Sequence, residues 1–598
     1  MPEEEEVLGK AYDAKLMRRL LTYLRPHWKR LLAAVGFMLL YSGMEILSPY
    51  LMKVVIDSGI LQKDYRLLNL TVIVYLISQG FSWLGLYQQI IILSILGQQV
   101  MFDMRNQIFS HLQSLGLDYY DRTPTGRIIS RLMSDVGVLN ELLVSGLVAV
   151  IADVFTLAGI IVIMLMLNVK LSLFCFGLFP LIIYATFKFR KVARENYRKI
   201  RQAVARVTAY LQESIAGVRV IQAFAREEYN SQHFNEINQQ HFQSNMQTAF
   251  AFSIFWPSVE LIGAVATGII IWYGGLNVAN NRLTLGALVA FLGYVVRFFH
   301  PLRDLSQKYN TLQAAMAASE RIFQLLDTPP LLKDKPSALE LPLLKGEIDF
   351  EKVSFSYVPG EMVLKNVSFQ IARGQKVALV GATGAGKTSI INLLYRFYPL
   401  EGGKILIDGY DIAEVQIQSL RKQMALVLQE PFLFSGTIRE NIAYGYPGAS
   451  EEEIISAARA ACLHDLVMKL PQGYDTQVQE RGVRLSLGQR QLVSFARAFL
   501  ADSRLLILDE ATSSVDAETE MLIQQAMQKL IHGRTVIVIA HRLSTIRQVD
   551  KILVIDRGEL VEEGTHEQLI AKGGIYSHLY ALQFRSPANS LRKDRKYE

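Results

Sequence analysis

The stretch KVALVGATGAGKTSIINLLYRFY, Lys376–Tyr398, decides how this chain is read. An apolar run ends at Gly381, four residues intervene, and Gly386-Lys387-Thr388 opens a helical pattern. Strand, glycine-rich turn and helix, in that order, form a phosphate cradle. The glycines let backbone N–H groups close around phosphate oxygens. The loop Gly381, Ala382, Thr383, Gly384, Ala385 and Gly386 is therefore expected to bind nucleotide phosphates together with Lys387, Thr388 and Ser389. Lys387 neutralises the β and γ oxygens, and the Thr388 hydroxyl is expected to ligate Mg²⁺.

Working outward, short β-rich runs alternate with helical stretches: IDFEKVSFSY, KVALVG, KILIDG, LLILDE, TVIVIAH and KILVIDRG. That alternation predicts an α/β domain with a partly parallel sheet over 346–585. LLILDE ends in two carboxylates beside the cradle. Asp509 is suited to hold Mg²⁺, and Glu510 to orient and polarise an attacking water. IAHRLS places His541 at another strand end, where ligands converge in such sheets.

Before residue 310 the pattern is different. Six apolar stretches, about 31–55, 67–95, 141–167, 169–189, 249–273 and 284–305, are long enough to cross a bilayer core of about 30 Å. The fold class expected is a membrane all-α domain of six spans over 1–330, fused to the α/β cassette. Pro- and Lys-rich LLDTPPLLKDKPSALELPLLKG, Leu325–Gly346, reads as the joint between them, with a linker at 331–345. Residues 586–598 form a basic tail. The long loops after the second and fourth spans are rich in Arg and Lys, whereas the opposite side has only Lys63, Arg66, Lys170 and Arg282. The positive-inside rule then places those loops, both termini and the cassette in the cytoplasm. Leu16, Leu20, Leu24 and Trp28 mark one face of an interfacial helix before the first span. The long loops are expected to reverse near YYDRTPTGRI and IAGVRVIQAF.

Charges inside apolar spans are costly and tend to face a cavity or a partner. Glu45, Asp153, Glu260 and Arg297 are such groups, and Glu45 and Glu260 are candidate cavity residues. If these two acids line the cavity, they favour cationic amphiphiles.

The bulk numbers exclude several classes. Two cysteines, Cys175 and Cys462, make no disulfide framework. The net charge of +7 belongs largely to the membrane flanks, and no nucleic-acid reader motif accompanies it. MPEEEEVLGK is the wrong flank for a cleavable signal peptide.

A second turn-to-helix stretch, RLSLGQRQLVSFARA (Arg484–Ala498), also suits an anion. Together these motifs resemble the ATP-binding cassette, and the six spans resemble ABC exporters of the multidrug and lipid-flippase type. The resemblance covers about residues 12–585. It implies that Tyr357 of FSYVPG stacks on adenine, and that Gln429 of LVLQEPFLF touches Mg²⁺. It further implies that TQVQERG (Thr476–Gly482) is the X-loop, Asp516 belongs to the D-loop and His541 is the switch histidine. LSLGQ matches the signature usually written LSGGQ. In that family Ser486, Leu487, Gly488 and Gln489 would meet ATP held by another chain's cradle, with Asp516 nearby.

By resemblance the chain is half a transporter, with a second half-transporter subunit as partner. Leu487 stands where the family has its first glycine, and a side chain there can alter the backbone approach that glycine allows. With Glu510 and His541 intact, the mixture resembles one half of a heterodimer; a homodimer tolerating Leu487 is the alternative. The expected activity is ATP-driven export of amphiphilic small molecules by alternating access, with lipid as the surrounding partner and no nucleic acid. A dedicated lipid or peptide exporter and an ATP-gated channel are the other readings. With about 30 residues before the first span, a peptidase domain is not expected.

Overall fold

The computed structural model describes residues 13–509, 516–540 and 546–584. It divides into two compact units, residues 1–113 with 125–328 and residues 114–124 with 329–598.

The first unit is helical. Helix α1 (Ala14–Thr22) is capped by Asp13, whose carboxylate accepts from Lys15 N at 2.7 Å. Its buried stripe is Met17 and Leu20, joined by Leu24; Trp28 lies outside it and is 55% exposed. The chain breaks at a short turn, Arg25–His27, so Trp28 begins the next helix instead of extending the first face. Arg19 forks onto Asp327 at 2.6 and 2.7 Å and lies over the Phe323 ring.

Helices α2 (Trp28–Val54), α3 (Tyr65–Ser114), α4 (Leu117–Arg122) and α5 (Val148–Leu167) follow. Next come α6 (Phe179–Ala216), α7 (Glu227–Ile269) and α8 (Leu285–Asp327). Among the described residues, four helical stretches are long and apolar enough to cross a membrane: Arg25–Ile60, Tyr65–Ser114, Val148–Leu167 and Glu227–Ala279. The stretch 169–189 is interrupted: a short helix ends at Gly177, and α6 starts with Pro180 in its first turn. Proline has no N–H to continue the preceding helix, so it starts a new one. The stretch 284–305 is the first half of α8.

With a rise of 1.5 Å per residue, the 50 residues of α3 span about 75 Å, far more than a bilayer core. Helices α6 and α7, of 38 and 43 residues, are also longer than a bilayer core and pair with each other. Phe189 stacks on Phe255 at 4.0 Å, Arg206 donates to Gln240 at 2.9 Å, and Tyr210 donates to Asn230 at 2.5 Å. These contacts step in opposite directions along α6 and α7, the signature of an antiparallel pair that reverses at Val218–Ala223. The other reversal is α4 itself, which belongs to the second unit. Inside the membrane-length part, Ile46, Ile160, Met164, Leu171, Phe291 and Tyr294 form a buried core.

The second unit carries two sheets. One is antiparallel, in the order β2 (Met362–Ile371), β1 (Ile348–Ser356), β4 (Gly402–Ile407), β5 (Tyr410–Asp411). The other contains β3 (Lys376–Val380), β6 (Met424–Val427), β7 (Leu505–Asp509), β8 (Thr535–Ile539), β9 (Lys551–Asp556) and β10 (Glu559–Gly564). Its spatial order is β10-β9-β3-β8-β7-β6, parallel from β9 to β6 with β10 antiparallel at the edge. Every residue of β8 is buried, and so are four of five in β3 and β7. Covered on both faces, these strands need no polar alternation, which is why they read as unbroken apolar runs.

The Pro-rich stretch after α8 lies along this unit. Leu341 and Leu344 are buried, their N–H groups donate to Ser419 and Gln423, and Arg396 meets Asp334 at 3.5 Å.

Candidate active site

Strand β3 delivers the chain into the glycine loop, and α9 (Lys387–Leu394) leaves it. Gly386 caps α9 at φ 108°, a left-handed conformation open to glycine at little cost. A Cβ there would also lie 2.7 Å from Leu364 Cδ2, and one at Gly381 would strike the Ile555 carbonyl oxygen. Gly386 is thus required by backbone shape and by a close neighbour, and Gly381 by a close neighbour alone.

Lys387 folds back over the loop, its Nζ donating to Gly381 O at 2.8 Å and Ala382 O at 2.9 Å. Burial pushes its pKa below the ordinary lysine range, and the Asp509 carboxylate partly offsets that shift. Among the described residues this buried ammonium hydrogen-bonds to two carbonyls, so a bound anion stabilises it.

A cleft of about 480 Å³ opens over the loop. Tyr357, Thr383, Gly384, Gly386, Lys387, Thr388, Ser389, Gln429 and Asp509 line it. The structure therefore brings together the predicted cradle, the predicted adenine-stacking tyrosine and the three predicted Mg²⁺ ligands, Thr388, Gln429 and Asp509. A hydroxyl, an amide oxygen and a carboxylate are hard oxygen donors, so their chemistry fits Mg²⁺. Asp509 ends β7, opposite Ile539 of β8, at the carboxyl ends of the parallel strands. Glu510 and His541 lie outside the described residues.

Tyr357 is anchored by contacts that sequence reading missed. Its hydroxyl lies 3.1 Å from Ser389 Oγ and accepts from Asn392 Nδ2 at 3.1 Å. Its ring sits edge-on to Tyr398 at 5.1 Å, and Arg122 donates to its carbonyl at 3.3 Å. Tyr398 donates in turn to Asp121. Burial, with Asp121 adding to it, pushes the Tyr398 phenol up, which keeps that proton in place. No local motif marks Asn392 or Tyr398 as partners of Tyr357, and the reversal YYDRTPTGRI marks the position of Asp121 and Arg122 but not what they touch, because their partners are distant in sequence.

Ser486 caps α10 (Leu487–Ala501) through a reciprocal box: its Oγ accepts from Gln489 N at 3.2 Å, and its N–H donates to Gln489 Oε1 at 3.0 Å. Leu487 is half-buried in the first turn, with right-handed backbone. The helix start is therefore fully formed despite the missing glycine. Asp516 caps α11 (Ala517–Leu530), accepting from Thr519 N at 2.9 Å, a bond that holds its carboxyl below the usual range. Ala382 and Ala385 belong to the loop, and Ala385 is buried. In the first unit, Glu45 pairs with Arg297 at 3.0 Å, so it is not an isolated acid, while Glu260 is exposed on α7.

A helical membrane unit and a nucleotide cradle on an α/β cassette, carried by one chain, define an ATP-driven membrane transporter subunit. A family model described as the ABC transporter transmembrane region matches residues 31–302, and one described as ABC transporter matches 364–513. The chain belongs to the ABC transporter family, in its exporter branch, as an ATPase coupled to transport. It is 41% identical to the ABC transporter ATP-binding protein YknV of Bacillus subtilis, over 97% of this chain and 96% of the relative. It is 38% identical to an ATP-dependent lipid A-core flippase of Syntrophus aciditrophicus, over 95% of each chain. A solved bacterial Atm1-family ABC exporter with ATP bound superposes with a TM-score of 0.77 at 30% identity, covering 94% of this chain and 99% of that one.

Proposed function

We propose that the chain exports an amphiphilic small molecule across the bacterial inner membrane, pairing with a second half-transporter so that two cassettes enclose two ATP molecules. One observation carries the pairing. Among the described residues, those lining the cleft around the cradle do not include Ser486–Gln489. The capped start of α10 then serves the nucleotide held by the other subunit, with Asp516 beside it.

In this reading the loop Gly381–Ser389 and Lys387 hold the phosphates, Tyr357 stacks on adenine, and Thr388, Gln429 and Asp509 hold Mg²⁺. The metal, when bound, spreads phosphate charge. Glu510 orients the attacking water and His541 contacts the γ-phosphate. ATP draws the cassettes together because each phosphate gains donors from both chains. The reversals at α4 and at Val218–Ala223 pass that movement to the helices, turning the cavity from inward-open to outward-open, and hydrolysis resets it. The basic loops support cytoplasmic cassettes and termini. The lipid A-core flippase among the relatives supports an amphiphilic cargo.

Leu487 supports a heterodimer, in which this chain's signature faces the partner's slower site. The intact Ser486–Gln489 box supports the second reading, a homodimer. Co-purification with mass identification of the second subunit decides between them. ATP hydrolysis by the purified complex, abolished by Glu510→Gln, tests the pump; persistence of turnover in that variant overturns it.

A further inference from the structure

Two acids of the long membrane-unit helices are paired with cations. Glu45 of α2 meets Arg297 of α8 at 3.0 Å, and Asp153 of α5 meets Lys308 of α8. Ser48 lies 3.4 Å from the same guanidinium. Eleven residues separate the two cations, three helical turns or about 16 Å, so both project from nearly one face of α8. Neither pair is sealed: side-chain exposure is 31% for Arg297, 27% for Glu45, 17% for Lys308 and 31% for Asp153. Beside the first pair, Ile46, Tyr294 and Phe298 are buried, and Tyr294 donates to Ile46 O at 2.8 Å. The first pair therefore sits at the border of a packed core, and both pairs remain partly open.

Resting on the exporter reading above, we propose that these two half-open ion pairs form the headgroup-recognition element, and that they select zwitterionic amphiphiles. The reason is charge conservation in an apolar setting. An unpaired charge within a span is costly. A cationic headgroup that takes Glu45 leaves Arg297 without its counter-charge, and an anionic one that takes Arg297 strands Glu45. A headgroup carrying both signs exchanges one internal pair for two pairs with the ligand, so no charge is left over. The same holds for Asp153 and Lys308. The cation preference expected from Glu45 as a lone acid thus gives way to a preference for both signs at once.

The test uses the purified transporter, with its co-purifying subunit, in dodecyl maltoside micelles. ATP hydrolysis is measured against three probes of equal chain length: dodecylphosphocholine, dodecyltrimethylammonium and dodecyl phosphate. The expected result is half-maximal stimulation by dodecylphosphocholine at about tenfold lower concentration than by either singly charged probe. Glu45→Gln and Asp153→Asn shift the preference toward dodecyl phosphate. Arg297→Gln and Lys308→Gln shift it the other way, toward dodecyltrimethylammonium. The exchanged pair, Glu45→Arg with Arg297→Glu, keeps the ion pair and restores the zwitterion preference. These opposed shifts in selectivity separate recognition from helix packing. If the single variants alter all three responses equally, or none, the pairs only hold helices together and the proposal is overturned. Stimulation of the wild type by no probe, with basal turnover intact, overturns the proposal alone. Absence of any ATP hydrolysis in the wild type overturns the exporter reading beneath it.

Discussion

The Tyr357 hydroxyl lies 3.1 Å from Ser389 Oγ, tying the aromatic wall of the nucleotide cleft to the helix that leaves the phosphate loop. The two ends of a bound nucleotide would thus be held by one hydrogen-bonded frame. A neutral hydrogen bond of this kind contributes about 1 kcal/mol, a factor of about five in affinity. Tyr357→Phe should weaken ATP binding by about that factor, measured by titration calorimetry. Tyr357→Ala should weaken it further, because the stacking face is lost as well.

Gly386→Ala should abolish nucleotide binding while the purified protein still elutes as a folded species. The substitution forces an L side chain into φ 108° and sets a methyl 2.7 Å from Leu364 Cδ2. Strain of this kind costs about 1–3 kcal/mol before the clash is counted. Retained ATP binding in that variant would show that the loop relaxes elsewhere.

Lys387 predicts a pH dependence with a definite sign. Its pKa is depressed in the free cleft, chiefly by burial. Bound phosphate favours the charged form and raises it again. Affinity for ATP is therefore full below the free-state pKa, begins to fall there, below the ordinary lysine range, and the Lys387 contribution is lost as pH rises through the higher bound-state pKa. Calorimetry in buffers of different ionisation enthalpy should register proton uptake on the alkaline side. Lys387→Arg should flatten that limb, since arginine stays charged.

Leu487 occupies the first turn of a helix that is already capped, so Leu487→Gly leaves the Ser486 and Gln489 bonds in place. If the side chain holds the signature away from a partner's γ-phosphate, the glycine variant should raise steady-state ATP turnover about tenfold. That corresponds to about 1.4 kcal/mol of barrier. An unchanged rate would place the limiting step elsewhere in the cycle.

Arg321 donates to both oxygens of Asp135, at 3.0 and 2.6 Å, and the carboxylate is 9% exposed. Removing the cation strands a buried charge. Arg321→Gln should lower unfolding stability by on the order of 2–3 kcal/mol, less than for a fully buried pair because the guanidinium is 31% exposed. Asp135→Asn should cost less than Arg321→Gln, because the charge left behind is the better solvated one. Thermal unfolding followed by fluorescence reads both.

Much of this protein was legible in one dimension. The phosphate loop needs its glycines next to one another in sequence, so Gly381–Ser389 identifies itself, and α9 begins where the motif says it must. The strands β3, β7, β8 and β9 are apolar except at their ends because both faces are covered, and burial on both faces leaves its mark residue by residue. The reversals at α4 and Val218–Ala223 fall where helical patterning breaks.

Tertiary structure decided what depends on residues far apart in the chain. Sequence marked Glu45 as an acid in an apolar span; only folding brought Arg297, 252 positions away, to neutralise it. Tyr357 was recognisable as an aromatic wall, yet its hold on Ser389 and Asn392 required α9 to pack beneath it. Leu341 and Leu344 looked like part of a linker until burial placed them in the cassette core. The physical reason is range. Backbone conformation and apolar periodicity are set by neighbours along the chain, whereas the sign and pairing of a buried charge are set by whichever side chain the fold delivers to it.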